Sequence, residues 1–215
     1  MAARFCKLEQ YCPTADLFSL YHTRETAFLD SSLTSKYGNF SIIGLYSYLK
    51  AEETDGILKV NGTVQKESLL DFLNQYSKEH KEENPTNLPM LGGAIGYLSY
   101  DYGRSFEQIP SRHKKEISMP DAMFEFFDLY LIEDLKKKEL YLSTSEHFHT
   151  LEEYRSEIMQ DILTLASKNV TVDSRLCDVR IKSDFVKQDY LNAIDSMIDY
   201  IMDNLKDNNE FSKKL

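Results

Sequence analysis

His147 and His149 stand two residues apart in the run Glu-His-Phe-His, a spacing at which two imidazoles on one face of a strand can share a metal ion. Such a site needs a third ligand, and the neighbouring sequence supplies none, so a solvated or locally hydrogen-bonded pair is the expected state. His22, His80 and His113 stand singly in polar company. Cys6, Cys12 and Cys177 are odd in number, widely spread and without Cys-x-x-Cys spacing, which argues against both a disulfide framework and a zinc site. There is no Gly-x-Ser-x-Gly elbow, and the plentiful carboxylates fall on the polar faces of predicted helices, where solvation explains them. These patterns assign no catalytic residue and no metal ligand to this chain.

The stretch LGGAIGYLSYDYGRSFEQIP, from Leu91 to Pro110, holds four of the eight glycines. A dinucleotide fingerprint would need Gly-x-Gly-x-x-Gly opening a helix, and a P-loop would end in Gly-Lys-Ser/Thr; neither is present. Residues 93–100 instead suit an extended segment whose glycines mark close approach of another backbone. Asp101, Arg104 and Glu107 are expected to form an ion-pair network at its exit.

The elements that must position these residues can be read from periodicity. Ala15 to His22 has the pattern of a short helix, and Thr26 to Ser32 that of a strand entering a polar turn. A second strand is read in NFSIIGLYSYLKAE. Asn61-Gly62 between apolar runs predicts a type I′ hairpin, since both central residues of that turn need positive φ. Leu69, Leu70, Phe72, Leu73 and Tyr76 recur at helical spacing and give way to a charged, proline-containing loop from Ser77 to Pro89. AMFEFFDLYLIEDLKKKELYLSTS reads as two strands joined around Lys136–Lys138. Thr150 and Glu153 form a capping box ahead of Leu151, Tyr154, Ile158, Ile162 and Leu165. A last helix from about Ser183 carries Tyr190, Ile194, Met197, Ile198, Ile201 and Leu205 on one stripe. Strands grouped between helices, rather than alternating with them, predict an α+β fold of mainly antiparallel, sandwich-like sheet with flanking helices.

A chain of 215 residues with 42% hydrophobic content can bury a sizeable core. Its formal net charge of -10 leaves no basic stripe for a nucleic-acid backbone or an anionic membrane surface. No apolar run approaches the roughly 18–20 residues of a bilayer span, and the first residues lack a secretory apolar core, so a cytoplasmic location is expected.

LPMLGGAIGYLSYDYGRSFEQIP followed by MPDAMFEFFDLYLIED resembles the N-terminal domain of the chorismate-utilising component I enzymes, anthranilate synthase and aminodeoxychorismate (para-aminobenzoate) synthase. FLDSS and YGNFSIIG resemble that family's Leu-Glu-Ser and Arg-Tyr/Phe-Ser blocks, and SDFVKQDYLNAIDSMIDYI resembles the first helix of its chorismate-binding domain. The resemblance spans about Thr26 to Ile201. It implies a component I N-terminal domain over residues 1–182 and, over 183–215, the first helix of a truncated chorismate-binding domain with a polar tail.

Gly103 before Arg104 is closer to aminodeoxychorismate synthase, of folate biosynthesis, than to anthranilate synthase, of tryptophan biosynthesis. The resemblance implies that the complete enzyme aminates chorismate with ammonia from a glutamine amidotransferase component II, using Mg2+. It also implies that the catalytic domain is missing from this chain, which alone would be inactive. In the family this domain lines a tryptophan pocket, which maps onto Ser31, Tyr37, Gly38, Asn39 and Phe40. Asp30 in place of the family's glutamate, and Asn39 in place of an arginine, weaken the expectation of tight L-tryptophan binding. A non-catalytic module that binds an aromatic amino acid or docks the amidotransferase is the alternative of another class. The Ile194, Ile198 and Ile201 stripe, deprived of the missing domain, is expected to promote self-association.

Overall fold

Two long strands shared by both halves of one sheet organise the first part of the chain. The structure, a computed structural model, describes residues 3–33, 38–81, 83–107, 118–167, 182–183 and 186–207. The chain divides into two compact units, Met1–Val170 and Thr171–Leu215. The first contains β1 (Arg4–Lys7), α1 (Thr14–Tyr21), β2 (Thr26–Leu29), β3 (Phe40–Thr54), β4 (Ile57–Val60), β5 (Thr63–Val64), α2 (Leu69–Glu79), β6 (Ala94–Leu98), a 3-10 turn (Tyr100–Gly103) leading into α3 (Arg104–Glu107), β7 (Ala122–Asp134), β8 (Glu139–Thr144) and α4 (Leu151–Ser167). The second contains α5 (Lys187–Asp207), on which Ile198 and Ile201 are exposed.

The sheet runs β1-β8-β7-β3-β4-β5, with β2 also on β3 and β6 also on β7, and every described pairing is antiparallel. The α+β class with antiparallel sheet, expected from the grouping of strands, is what forms. β3 and β7 each serve two neighbours in succession. The first half of β3 pairs with β2 and its end with β4, while the first half of β7 pairs with β6 and its end with β8.

The change of neighbours coincides with a bulge. Ser47 pairs with Phe127 and Leu49 with Phe126, so Tyr48 is an extra residue on β3. One extra residue inverts the alternation of faces. Before it, Ile42 is on the face covered by Leu88, Leu91 and Ile95; after it, Leu49 and Ala51 meet Leu69 and Phe72 of α2. Ile43 and Leu45 point the other way, into the largest core cluster with Leu17, Tyr21, Tyr154, Ile158 and Ile162 of α1 and α4. The half-sheet built on the end of β7 is thus covered on both faces.

Local chemistry accounts for the turns. Asn61 and Gly62 have φ of 47° and 78°, as the type I′ hairpin requires, and Asp55-Gly56 repeats that geometry at the β3–β4 turn. Thr150 and Glu153 cap α4 reciprocally: the Thr150 N–H donates to Glu153 Oε2 at 2.8 Å and the Glu153 N–H to Thr150 Oγ1 at 3.3 Å. The buried Glu133 carboxylate caps α1, accepting from the Thr14 N–H at 2.8 Å, the Thr14 hydroxyl at 2.5 Å and the Tyr11 hydroxyl at 2.5 Å.

Candidate functional site

The glycine-rich stretch forms β6 and the loop before it. A Cβ on Gly96 would lie 2.1 Å from the Met123 carbonyl oxygen and 2.7 Å from Phe124 Cα, so the close backbone approach read from the sequence is physical. Gly93 has φ of 135°, outside the range of ordinary side chains. Two hydroxyls fix its loop from beneath: Tyr130 donates to the Gly93 carbonyl at 2.7 Å, and Ser143 to the Leu91 carbonyl at 2.5 Å. At the exit, Arg104 Nε is 2.9 Å from Asp101 Oδ1, one arm of the expected ion-pair network.

This loop forms one wall of a cavity of about 850 Å3, within the range of small-molecule sites. α2 contributes Leu73, Tyr76 and Ser77, and its C-cap residue His80 continues the same face in the i, i+3, i+4, i+7 pattern. Phe126 of β7, the bulge residue Tyr48 and His147 complete the opposite side. The rings are ordered: Tyr48 stacks on His147 with centroids 4.0 Å apart, and Tyr76 on His80 at 3.9 Å. The two tyrosine hydroxyls meet at 3.2 Å, joining the stacks. Burial and the Tyr76 hydroxyl push the Tyr48 phenol well above its usual range, so it stays protonated.

His147 is held by a buried carboxylate. Asp128 accepts from the main-chain N–H groups of His147 and Phe148, at 2.8 and 2.9 Å, and from the Tyr154 hydroxyl at 2.8 Å. The turn after β8 is therefore fixed to the sheet. His149, in the same turn, sits edge-on to Tyr46 and Tyr154 rather than beside His147 in a strand. Among the described residues no group of three or more His, Cys, Asp or Glu side chains is placed to hold a metal ion.

The residues that the resemblance implicates lie elsewhere. Ser31 and Phe40 are brought together: the Ser31 hydroxyl donates to the Phe40 carbonyl at 2.7 Å, and the Ser31 N–H donates to Ser41 Oγ at 3.0 Å. Ser41 in turn donates to Asp30 Oδ1 at 3.1 Å. Gly38 and Asn39 are half-buried at the entry to β3, where the Asn39 carbonyl accepts from the Leu135 N–H at 3.0 Å. Tyr37 lies outside the described residues. With its proton given to Phe40, the Ser31 oxygen faces any ligand as an acceptor, and Asp30 beside it adds a carboxylate. This corner suits an ammonium group better than an anion.

From the sequence, His147 is expected in a solvated or locally hydrogen-bonded pair and His80 singly in polar company, and neither Tyr48 nor Tyr76 is singled out as ligand-facing. The one local signal was the helical face carrying Tyr76 and His80; the other rings come from distant segments.

With this geometry in place, comparison with known proteins assigns the family. Residues 26–205 match the chorismate binding enzyme model, and the chain belongs to that family. Anthranilate synthase component 1 of Thermus thermophilus is 27% identical over 174 residues, covering 80% of this chain and 38% of that protein. Aminodeoxychorismate synthase component 1 of Klebsiella aerogenes is 43% identical over 56 residues, 26% of this chain and 12% of that protein. The crystal structure of anthranilate synthase component I from Streptococcus pneumoniae superposes with a TM-score of 0.62 at 25% identity, over 80% of this chain and 40% of that one. The chain thus spans well under half the length of these relatives. Among its described residues no helix is long and apolar enough to cross a membrane.

Proposed function

We propose that this chain is the N-terminal scaffold domain of an aminodeoxychorismate synthase component I, with the corner around Ser31 and Phe40 as an amino-acid pocket. The observation that carries the reading is the family match over residues 26–205 together with Gly103 ahead of Arg104. A Cβ at Gly103 would meet nothing within 4 Å, so the fold does not demand glycine there, which supports reading it as a mark of the family variant. The complete enzyme would replace the 4-hydroxyl of chorismate with ammonia delivered by a glutamine amidotransferase partner. That chemistry, with its magnesium, is assigned to the part of the component I length that this chain does not span.

Anthranilate synthase component I is the second reading, favoured by the longer alignment to the Thermus thermophilus relative. The product of the complete enzyme that carries this domain separates the two: aminodeoxychorismate supports the first reading and anthranilate the second. Neither product, with co-purification of a glutamine amidotransferase, supports a non-catalytic docking module.

The pocket is tested by calorimetric titration of L-tryptophan, with L-phenylalanine as control. The ammonium-accepting corner at Asp30 and Ser31 leads us to expect saturable, tryptophan-selective binding that weakens in Ser31→Ala. Absence of binding removes the amino-acid pocket from the proposal. Self-association through α5 is checked by sedimentation, where a strictly monomeric chain at high concentration overturns it.

A further inference from the structure

We propose that the aromatic cavity between α2, β7 and the turn after β8 is a second ligand site, selective for a flat aromatic carboxylate. It shares no lining residue with the Ser31–Phe40 corner, and nothing in the amination reading requires it.

Shape gives the first half of the assignment. Tyr48, Tyr76, His80, Phe126 and His147 present five rings to one space, with Phe126 4.5 Å from Tyr76 and 6.3 Å from Tyr48. Four of them already stand in two face-to-face stacks. A flat ring extends such a stack, whereas a saturated or branched ligand of equal volume leaves the ring faces without close contact.

The polar groups give the second half. Tyr48 and Tyr76 share one hydrogen bond between two hydroxyls, so one O–H of the pair remains to donate. The His80 ring is oriented by its Nδ1–H, which donates to the Tyr76 carbonyl at 2.9 Å; in that tautomer Nε2 is an acceptor. Lys81 brings an ammonium to the wall. Of the two carboxylates there, Glu146 is held by Arg4 Nε at 3.1 Å and by the Leu151 N–H at 2.8 Å, while Glu83 stands exposed, where water screens it. One tyrosine O–H and the Lys81 ammonium are thus the donors left to a ligand, with Glu146 already occupied. A carboxylate attached to a flat ring answers both observations.

The probe is 2-naphthoate, followed by its own fluorescence, which is clean because the chain has no tryptophan. The controls are uncharged 2-naphthamide, cationic 2-naphthylmethylammonium and saturated cyclohexanecarboxylate. Saturable binding of 2-naphthoate is expected, with each control weaker by about fivefold or more. Tyr76→Leu and His147→Ala should each weaken it by about tenfold, Lys81→Ala by about threefold, and Tyr76→Phe less than Tyr76→Leu because it keeps the stack. Circular dichroism and thermal melts confirm that each variant is folded, and Ser31→Ala, outside the cavity, should bind normally. No saturable binding by the folded chain overturns the proposal. So does binding unchanged in both Tyr76→Leu and His147→Ala, or a preference for the cationic or uncharged probe. Loss of tryptophan binding at the Ser31 corner would leave it standing.

Discussion

The Tyr154 hydroxyl donates to Asp128 Oδ2 at 2.8 Å, tying α4 to β7 through two residues that are both fully buried. The same carboxylate holds the main chain of His147 and Phe148, and the Thr144 hydroxyl reaches its other oxygen at 3.3 Å. One side chain therefore fixes a helix, a strand end and one side of the aromatic cavity. Its desolvation is offset only if all these donors remain in place.

Asp128→Asn should therefore be costly although it preserves shape. An amide offers one accepting oxygen and turns an N–H2 toward groups that need an acceptor. A loss of about 2–4 kcal/mol is expected, and for a domain of this size a fall in Tm of roughly 6–12 °C. Thermal denaturation followed by circular dichroism measures it; a change within about 1 °C would show that the network does not support the fold.

Gly96→Ala and Gly103→Ala form a matched pair. The added methyl at position 96 meets backbone atoms of Met123 and Phe124, which cannot rotate away, so β6 must separate from β7 at a cost of about 1–3 kcal/mol or more. At position 103 the methyl meets nothing within 4 Å, and stability should hold or rise slightly. Urea denaturation of both variants decides the point, and equal midpoints would contradict the close approach.

Acid should weaken the β7–β8 turn in a way that can be assigned. Burial alone would raise the Asp134 pKa, but the N–H groups of Lys137 and Lys136 and the Lys137 ammonium outweigh it and hold the carboxyl below its ordinary value. A carboxyl with a depressed folded-state pKa contributes stability that is complete above the unfolded value, near 3.9, and is lost as pH falls through the folded one. Asp134→Asn keeps an oxygen for the two N–H groups. It should lose only about 0.5 kcal/mol at pH 7 and show a shallower decline in stability below about pH 4. Urea midpoints from pH 7 to pH 2 test this; parallel curves for the two proteins would refute it.

Cys12 should resist alkylation. Burial first, then the nearby Asp16 and Glu133 carboxylates, push its thiol up to about 11. At pH 8 the native chain should react there roughly a hundredfold more slowly than the unfolded chain, by peptide mapping after iodoacetamide treatment. Fast labelling in the native state would contradict the burial of this side chain.

The features most legible in the sequence were those with local causes. Asn61-Gly62, the Thr150–Glu153 box and the helical spacing from Tyr154 to Leu165 all act within a few residues, and each forms as read. Asp55-Gly56 carries the same hairpin chemistry as Asn61-Gly62 and was not singled out, although it makes the β3–β4 turn. The bulge at Tyr48 was hidden because the switch of buried positions from Ile42 to Leu49 and Ala51 has meaning only against the register of β7. Tyr46, just before it, has φ of 60°, a conformation its own sequence does not favour; the ring contact with Tyr154 and the hydroxyl bond to Glu157 hold it.

The site residues divide along the same line. The Ser31–Phe40 corner was reached through family resemblance, since nothing in the residue types alone joins a serine to a phenylalanine nine positions away. The aromatic cavity draws on positions 48, 76, 80, 126 and 147, of which only 76 and 80 are near in sequence, on α2 and its C-cap. Histidines that look solvated in their own segments become ring partners once the sheet is assembled.

The sharing of β3 and β7 by both halves of the sheet also bears on how the first unit forms. Residues 40–54 meet residues 122–134 across a long intervening chain, and neither half-sheet exists until that closure has been made. Such non-local pairing makes folding slow relative to a helical domain of similar size. It also means that no cut between the two strands can release a self-sufficient half. Either leaf, expressed without the other's strands, lacks the template on which its remaining strands assemble.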